Sequence, residues 1–232
     1  MAVLSDLHAN KYAVDAVFKD LDHESIDKIL IAGDLIGYYY WPEDIVSRCM
    51  EDTRIACVQG NHEANLMRAS ADEKVRQQLK LEYGSGYEFC MADLSSHQLS
   101  WLENLKQSVV LDLAGTSFFM RHGTLKSQDE YLYPTATPDR LQSNYSDCDF
   151  TIFGHTHYPF IHHYDGKILL NPGSVGQPRD VGNLASYVII DTVSRAVIFK
   201  RRMFETSQLV SLASSIDPEN QYLRKIFSRA VL

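Results

Sequence analysis

Apolar and polar positions fall into alternating blocks over the first sixty residues. Residues 2–5 form a short apolar run, read as a strand. Val14, Val17, Phe18 and Leu21 then recur at i, i+3, i+4 and i+7, the stripe of a half-buried helix, with Asn10 placed to cap its start. Residues 28–32 (Lys-Ile-Leu-Ile-Ala) are too short for a helix and are bounded by Gly33-Asp34, which predicts a buried strand. Pro42 suits a first helical turn, Glu43 and Asp44 complement its dipole, and Ile45, Val46, Cys49 and Met50 give it an inner face. Residues 54–58 read as a third strand. The order β-α-β-α-β predicts parallel strands joined by helical crossovers.

The rhythm then changes. Residues 64–106 read as a charged helical insertion whose Leu99, Trp101, Leu102 and Leu105 make a core stripe. Strands are expected at 108–113, 117–121, 149–153, 160–164, 167–170, 187–191 and 196–201, with one helix starting near Thr137-Pro138. The tail from 205 has helical stretches. Its Leu209, Leu212, Leu223 and Ile226 are expected to dock on the body, a dimer contact being the alternative. No repeat or low-complexity linker divides the chain. The expectation is one α/β domain over 1–232 with two sheets, the first half more parallel and the second richer in hairpins.

Charge narrows the function classes. Thirty acidic against 22 basic residues give a formal net charge of −8, which disfavours generic binding to nucleic acid or an anionic membrane. A phosphate-bearing ligand would need a local positive site, and bound metal ions would supply one. Cys49, Cys57, Cys90 and Cys148 are scattered without a CxxC spacing, so reduced thiols and a cytoplasmic location are expected. The first residues show no basic start and no long apolar run, so no signal peptide is expected. No stretch approaches the roughly 18 apolar residues of a membrane span.

Five polar clusters share one placement, directly after an apolar run: Asp6-Leu-His8, Gly33-Asp34, Gly60-Asn61-His62-Glu63, His122-Gly123 and Gly154-His155-Thr-His157. In open α/β sheets, ligands gather at the carboxyl ends of strands. On extended chain, Asp6 and His8 would point to one side, as would His155 and His157. Imidazole with carboxylate favours Mn, Fe, Zn or Ni over Ca. Taken singly, Asp6 and Asn10 could be turn and cap residues, Gly-Asp a turn, and His122 a core or surface histidine. The joint occurrence, in this order, points to metal.

The series Asp-x-His, Gly-Asp-x-x-Gly, Gly-Asn-His-Glu, His-Gly, Gly-His-Thr-His resembles the calcineurin-like metallophosphoesterase superfamily over most of the chain. Gly37-Tyr38, Asp129-Glu-Tyr-Leu132 and the run from Asn171 to Asp180 resemble its small bacterial and archaeal phosphodiesterase-like branch. The resemblance implies a four-layer α-β-β-α sandwich with two mixed sheets and a metal site at the loop ends between them. It implies two divalent ions, one held by Asp6, His8 and His157, the other by Asn61, His122 and His155, with Asp34 bridging. A hydroxide shared by the ions would attack phosphorus in line, and His62 would face the substrate phosphate as the catalytic side chain. Gly-Asn-His-Glu also occurs in Ser/Thr protein phosphatases, but the Asp-Arg-Gly those enzymes carry after the second motif is absent here.

Several residues stay open between two roles. Tyr38 to Trp41 could wall a substrate site or form a packed loop, with Tyr38 the best placed to line the site. Arg179 could bind substrate phosphate or sit in a surface ion pair. Glu63 is expected to orient its neighbours rather than bind metal. Arg121 should point away from the metals, His162 and His163 should be structural, and His23 and His97 solvated. The favoured function is a phosphodiesterase for a small or nucleotide-like ester, because basic residues near the motifs are sparse. The rivals are a phosphomonoesterase or nucleoside-polyphosphate hydrolase at the same site, and a non-catalytic metal-binding regulatory module.

Overall fold

In the computed structural model, which describes residues 1–230, the three early strands form as expected: β1 (Ala2–Leu4), β2 (Ile29–Ile31) and β3 (Ile55–Cys57). They run parallel, with Val3 paired to Leu30 and Leu30 to Ala56. Helices α1 (Lys11–Leu21) and α2 (Pro42–Glu51) make the crossovers. Asn10 caps α1, its side-chain oxygen accepting from the Ala13 N–H at 3.2 Å. The sheet is completed from much later in the chain. Strand β9 (Leu184–Ile190) pairs antiparallel with β1, and β10 (Val197–Met203) forms a hairpin with β9, giving the order β10-β9-β1-β2-β3.

The second sheet holds β4 (Ser108–Leu113), β5 (Thr116–Arg121), β6 (Phe150–Ile152), β7 (Pro159–Tyr164) and β8 (Lys167–Pro172) in the order β4-β5-β6-β8-β7. The hairpins expected here exist, yet the centre β5-β6-β8 is parallel. Each sheet therefore has a parallel middle, and the carboxyl ends of β1, β2, β3, β5 and β6 all carry the polar clusters.

Alternation along these short strands builds the layers. Val3 and Leu30 face Phe118, Phe150, Ile152 and Leu170 between the sheets. Their neighbours Ala2, Leu4, Ile29 and Ile31 face the helices on the outer side. Burial on both faces explains why these strands read as unbroken apolar runs. The outer face of the second sheet is covered by Leu132, Leu141 and Phe153, around the short α7 (Pro138–Gln142). The result is the four-layer α-β-β-α sandwich, with a thin fourth layer.

The insertion is four helices: α3 (Asn61–Ala71), α4 (Glu73–Tyr83), α5 (Gly86–Asp93) and α6 (Ser96–Glu103). Leu102 of the expected stripe is fully buried, and Leu99, Trp101 and Leu105 pack against the same core. The tail, α8 (Ser207–Ile216) and α9 (Tyr222–Lys225), docks through buried Leu209, Leu223 and Ile226. It is also tied by polar contacts. Asp217 accepts from the Ser85 hydroxyl at 2.7 Å and the Tyr40 hydroxyl at 2.9 Å, and the Tyr39 hydroxyl donates to the Leu223 carbonyl at 3.2 Å. Tyr39 and Tyr40 are thus packing residues, as the loop reading held. Among the described residues, no helix is long and apolar enough to cross a membrane.

Candidate metal centre

All seven expected metal-binding side chains are brought together, each at most 8% exposed: Asp6, His8, Asp34, Asn61, His122, His155 and His157. Donor atoms of Asp6, His8 and His157 lie within 4.8 Å of one another, as do those of Asp34, His122 and His155. A third overlapping group joins His8, Asp34 and His62. Asn61 Oδ1 lies 3.0 Å from His122 Nε2.

The reason for this convergence differs from the extended-chain expectation. Asp6, His8, Asp34, Tyr38, His155 and His157 all have left-handed backbone, with φ between 49° and 68°. Each i, i+2 pair converges because the chain turns sharply as it leaves the strand. A left-handed non-glycine residue costs roughly 1–2 kcal/mol. Six of the ten such residues among those described are gathered here, and the surrounding fold holds them.

The ring orientations define what the site can hold. The Nδ1 atoms of His8, His122 and His157 lie 3.1, 2.6 and 2.7 Å from the backbone carbonyls of Ile36, Ala32 and Gln177. A carbonyl only accepts, so each Nδ1 carries a proton, and each ring in its neutral form turns an Nε2 lone pair inward. There, His8 Nε2 faces His157 Nε2 at 3.1 Å, and His122 Nε2 lies 3.0 Å from Asp34 Oδ2. Asp6 Oδ1 lies 3.2 Å from His157 Nε2. Facing lone pairs repel unless a cation stands between them. Asp6 Oδ1 and His155 Nε2 are buried without any hydrogen-bond partner. Buried polar atoms are seldom left so, and this donor set fits divalent transition-metal ions.

The protonation tendencies agree. Burial lowers the pKa of His155 to about 3 and holds His8 well below the imidazole range, keeping both rings neutral. At His122, burial opposes the cation, but the Asp34 charge and hydrogen bond outweigh it and raise the pKa to about 10. A proton there occupies the position a metal would take.

Three positions form the frame. Gly60 packs so tightly that an added Cβ would strike Asp34 Oδ1, and at Gly37 (φ +85°) it would strike the His62 ring. Glu63 is fully buried and binds nothing in the centre. Its carboxylate accepts from the N–H groups of Gly60 (2.7 Å), Leu35 (2.8 Å), Asp34 (3.1 Å) and Ile36 (3.3 Å). It thereby fastens the Asp34 loop to the start of α3, the orienting role expected. Burial and the Asp34 charge push its pKa up to about 7, against the pull of these N–H groups. Glu63→Ala strands several buried donors at about 1–3 kcal/mol each. The expected result is a thermal midpoint lower by about 10 °C or more, checked by calorimetry.

His62 is buried beside the cluster. Its Nε2 lies 4.0 Å from Asp34 Oδ2, its Nδ1 lies 2.7 Å from the Tyr87 hydroxyl, and its backbone N–H donates to Asp34 Oδ1 at 2.9 Å. The Tyr38 ring lies 4.7 Å from that of His8 and 4.9 Å from that of His62, so Tyr38 lines the centre. Burial, and then the Arg179 charge, hold His157 below its usual range. Arg179 Nε is buried without a partner, while the adjacent Asp180 pairs with Arg201 at 3.0 Å. The surface ion-pair alternative for Arg179 is therefore not what forms.

Three tyrosines, Tyr83, Tyr87 and Tyr222, escaped the sequence reading, and Tyr131 was read only as part of a motif. Tyr87 meets His62, Tyr83 lies edge-on to it at 4.8 Å, Tyr131 stacks on His155 at 3.9 Å, and Tyr222 approaches Tyr38 at 6.2 Å. The remaining residues fall as expected except His163, which is exposed at the end of β7 and not a packing residue. Arg121 donates to the Leu125 carbonyl, His162 meets the Tyr145 hydroxyl at 2.8 Å, and His23 and His97 are exposed.

Comparison with known proteins agrees with this geometry. The profile of the calcineurin-like phosphoesterase superfamily domain matches residues 1–195. An uncharacterized protein of Methanocaldococcus jannaschii is 31% identical over 213 residues, covering 82% of each chain. A hypothetical protein from Pyrococcus horikoshii has a similar structure, with TM-score 0.86 at 15% identity over 98% of this chain and 96% of that one. A metallophosphoesterase from Sphaerobacter thermophilus, 23% identical, superposes over the whole of both chains with TM-score 0.78. With the profile covering β1 to β9 and all five motif clusters, the chain belongs to the calcineurin-like phosphoesterase superfamily, the metallophosphoesterases.

Proposed function

We propose that this protein is a phosphodiesterase for small or nucleotide-like esters, working with two divalent ions. Asp6, His8 and His157 would hold one ion, Asn61, His122 and His155 the other, with Asp34 shared between them. The observation that carries the reading is the set of inward Nε2 lone pairs, fixed by backbone carbonyls and facing two buried carboxylates. Ions bound there would lower the pKa of a coordinated water and neutralise phosphate oxygens, whichever of Mn, Fe, Zn or Ni they are.

The chain's own groups do the rest. Burial lowers the His62 pKa to about 4, so its ring is neutral. Because Nε2 faces the Asp34 carboxylate, the proton belongs on Nε2, and Nδ1 accepts from the Tyr87 hydroxyl. His62 then presents an N–H to the phosphate or leaving oxygen as charge builds there. Tyr87 positions the ring through Nδ1. Arg179 supplies a fixed positive charge for a phosphate oxygen, with Tyr38 forming the adjacent wall.

One such cation suits the single charge of a diester better than the two charges of a monoester. The test is hydrolysis of a chromogenic aryl phosphodiester beside the matching monoester. The expected result is a kcat/KM at least about tenfold higher for the diester, and a monoester preference would overturn the assignment. Arg179→Met is expected to raise KM for the diester about 10–100-fold, the worth of one charge-assisted contact. An unchanged KM would remove Arg179 from the site.

A further inference from the structure

A cavity of about 270 Å³ opens against the second ligand group, with Asn61 and His155 at its floor. Asn65 of α3 and Gln78 of α4 line one side, with Tyr83 at the end of α4. The other side is the 129–131 segment, where Tyr131 stacks on the His155 ring with centroids 3.9 Å apart. A phosphate seated over the ion pair would have one of its ester groups facing this space. The volume is near the lower end of ligand pockets, which start at roughly 300 Å³. It has room for a ring-bearing group, and a methyl group would leave most of it empty.

The lining tells which group. Amides at Asn65 and Gln78 offer donors and acceptors together, and two phenol rings offer aromatic surface. The charged residues present are Arg68, Glu82 and Asp129. Arg68 Nη1 donates to Asn65 Oδ1 at 3.0 Å and keeps its charge, so one cation stands against two carboxylates and the lining is net negative. A second phosphate would be repelled there. An uncharged substituent with a flat heterocycle and hydroxyl groups meets every one of these features.

We propose that this cavity is the subsite for a nucleoside esterified to the reacting phosphate, which makes the substrate a nucleoside phosphodiester and not a nucleoside polyphosphate. The assignment rests on the phosphodiesterase reading above. It gives the helical insertion a role, since α3 and α4 build one wall, and the Asp129-Glu-Tyr-Leu132 motif builds the other.

The test uses the metal-loaded full-length protein and two diesters with one leaving group, thymidine 5′-(p-nitrophenyl phosphate) and methyl p-nitrophenyl phosphate. A KM at least tenfold lower for the thymidine ester is expected. Gln78→Ala, on the exposed face of α4, should shrink that ratio severalfold. Equal KM values for the two esters overturn the proposal. Thymidine binding, measured by calorimetry on wild type and Gln78→Ala, separates this claim from the one beneath it. If neither ester turns over, the phosphodiesterase reading fails by itself. Thymidine binding that weakens in Gln78→Ala then still supports the subsite, and absence of binding overturns it.

Discussion

Asp34→Asn is expected to strip the centre of metal and lower kcat/KM by more than about 10³-fold. Asp34 Oδ2 lies 3.0 Å from His122 Nε2 and 3.9 Å from His8 Nε2, so one carboxylate oxygen touches both ligand groups. Its other oxygen holds the first turn of α3 through the His62 N–H. Asparagine keeps the size but removes the negative charge and turns an N–H₂ toward inward-facing lone pairs. Losing the metals forfeits several kcal/mol of transition-state stabilisation, and each 1.36 kcal/mol is a factor of ten. Metal analysis and steady-state kinetics check the result together. A variant that retains two ions per chain would refute the shared-ligand assignment.

The second large effect is expected at His62. His62→Ala should lower kcat about 10²–10⁴-fold while metal content stays at the wild-type level. The side chain is adjacent to Asn61, yet its Nδ1 is taken by Tyr87, and its Nε2 stands 4.0 Å from the nearest Asp34 oxygen. On the proposed reading it would act on the substrate and not on the ions. Tyr87→Phe should reproduce part of this loss, because the ring would keep its place but lose the hydroxyl that fixes its tautomer. Loss of metal from His62→Ala would make His62 a ligand, consistent with its place in the third donor group, and would require the roles of His8 and Asp34 to be redrawn.

The reach of the sequence is uneven for physical reasons. Strands buried on both faces read as apolar runs, unbroken in β1 and β2 and interrupted only by Thr151 in β6, so they and the polar residues after them stand out. The candidate ligand set was legible because each member follows such a run. The local geometry was not: the i, i+2 pairing of Asp6 with His8 reads as extended chain, whereas both residues are left-handed. Nothing in their side chains announces this, and tertiary packing imposes it. The join of β9 to β1 pairs Val3 with Val188, far apart in the chain, and no local pattern encodes it. The tyrosines were missed for the same reason. Tyr87 reaches His62 across 25 residues of helical insertion, and Tyr222 arrives from the tail. Their helices present aromatic residues that a periodicity reading assigns to the core.

The account rests on two ions held by one set of side chains, and metal titration of chelator-stripped protein tests it most directly. Manganese, added stepwise and followed by calorimetry with the diesterase assay in parallel, should bind to two ions per chain. Activity should return as the second ion binds, and the thermal midpoint should rise with it, since an ion that binds only the folded state stabilises it. Binding of a single ion, or hydrolysis unaffected by removing metal, would contradict the account.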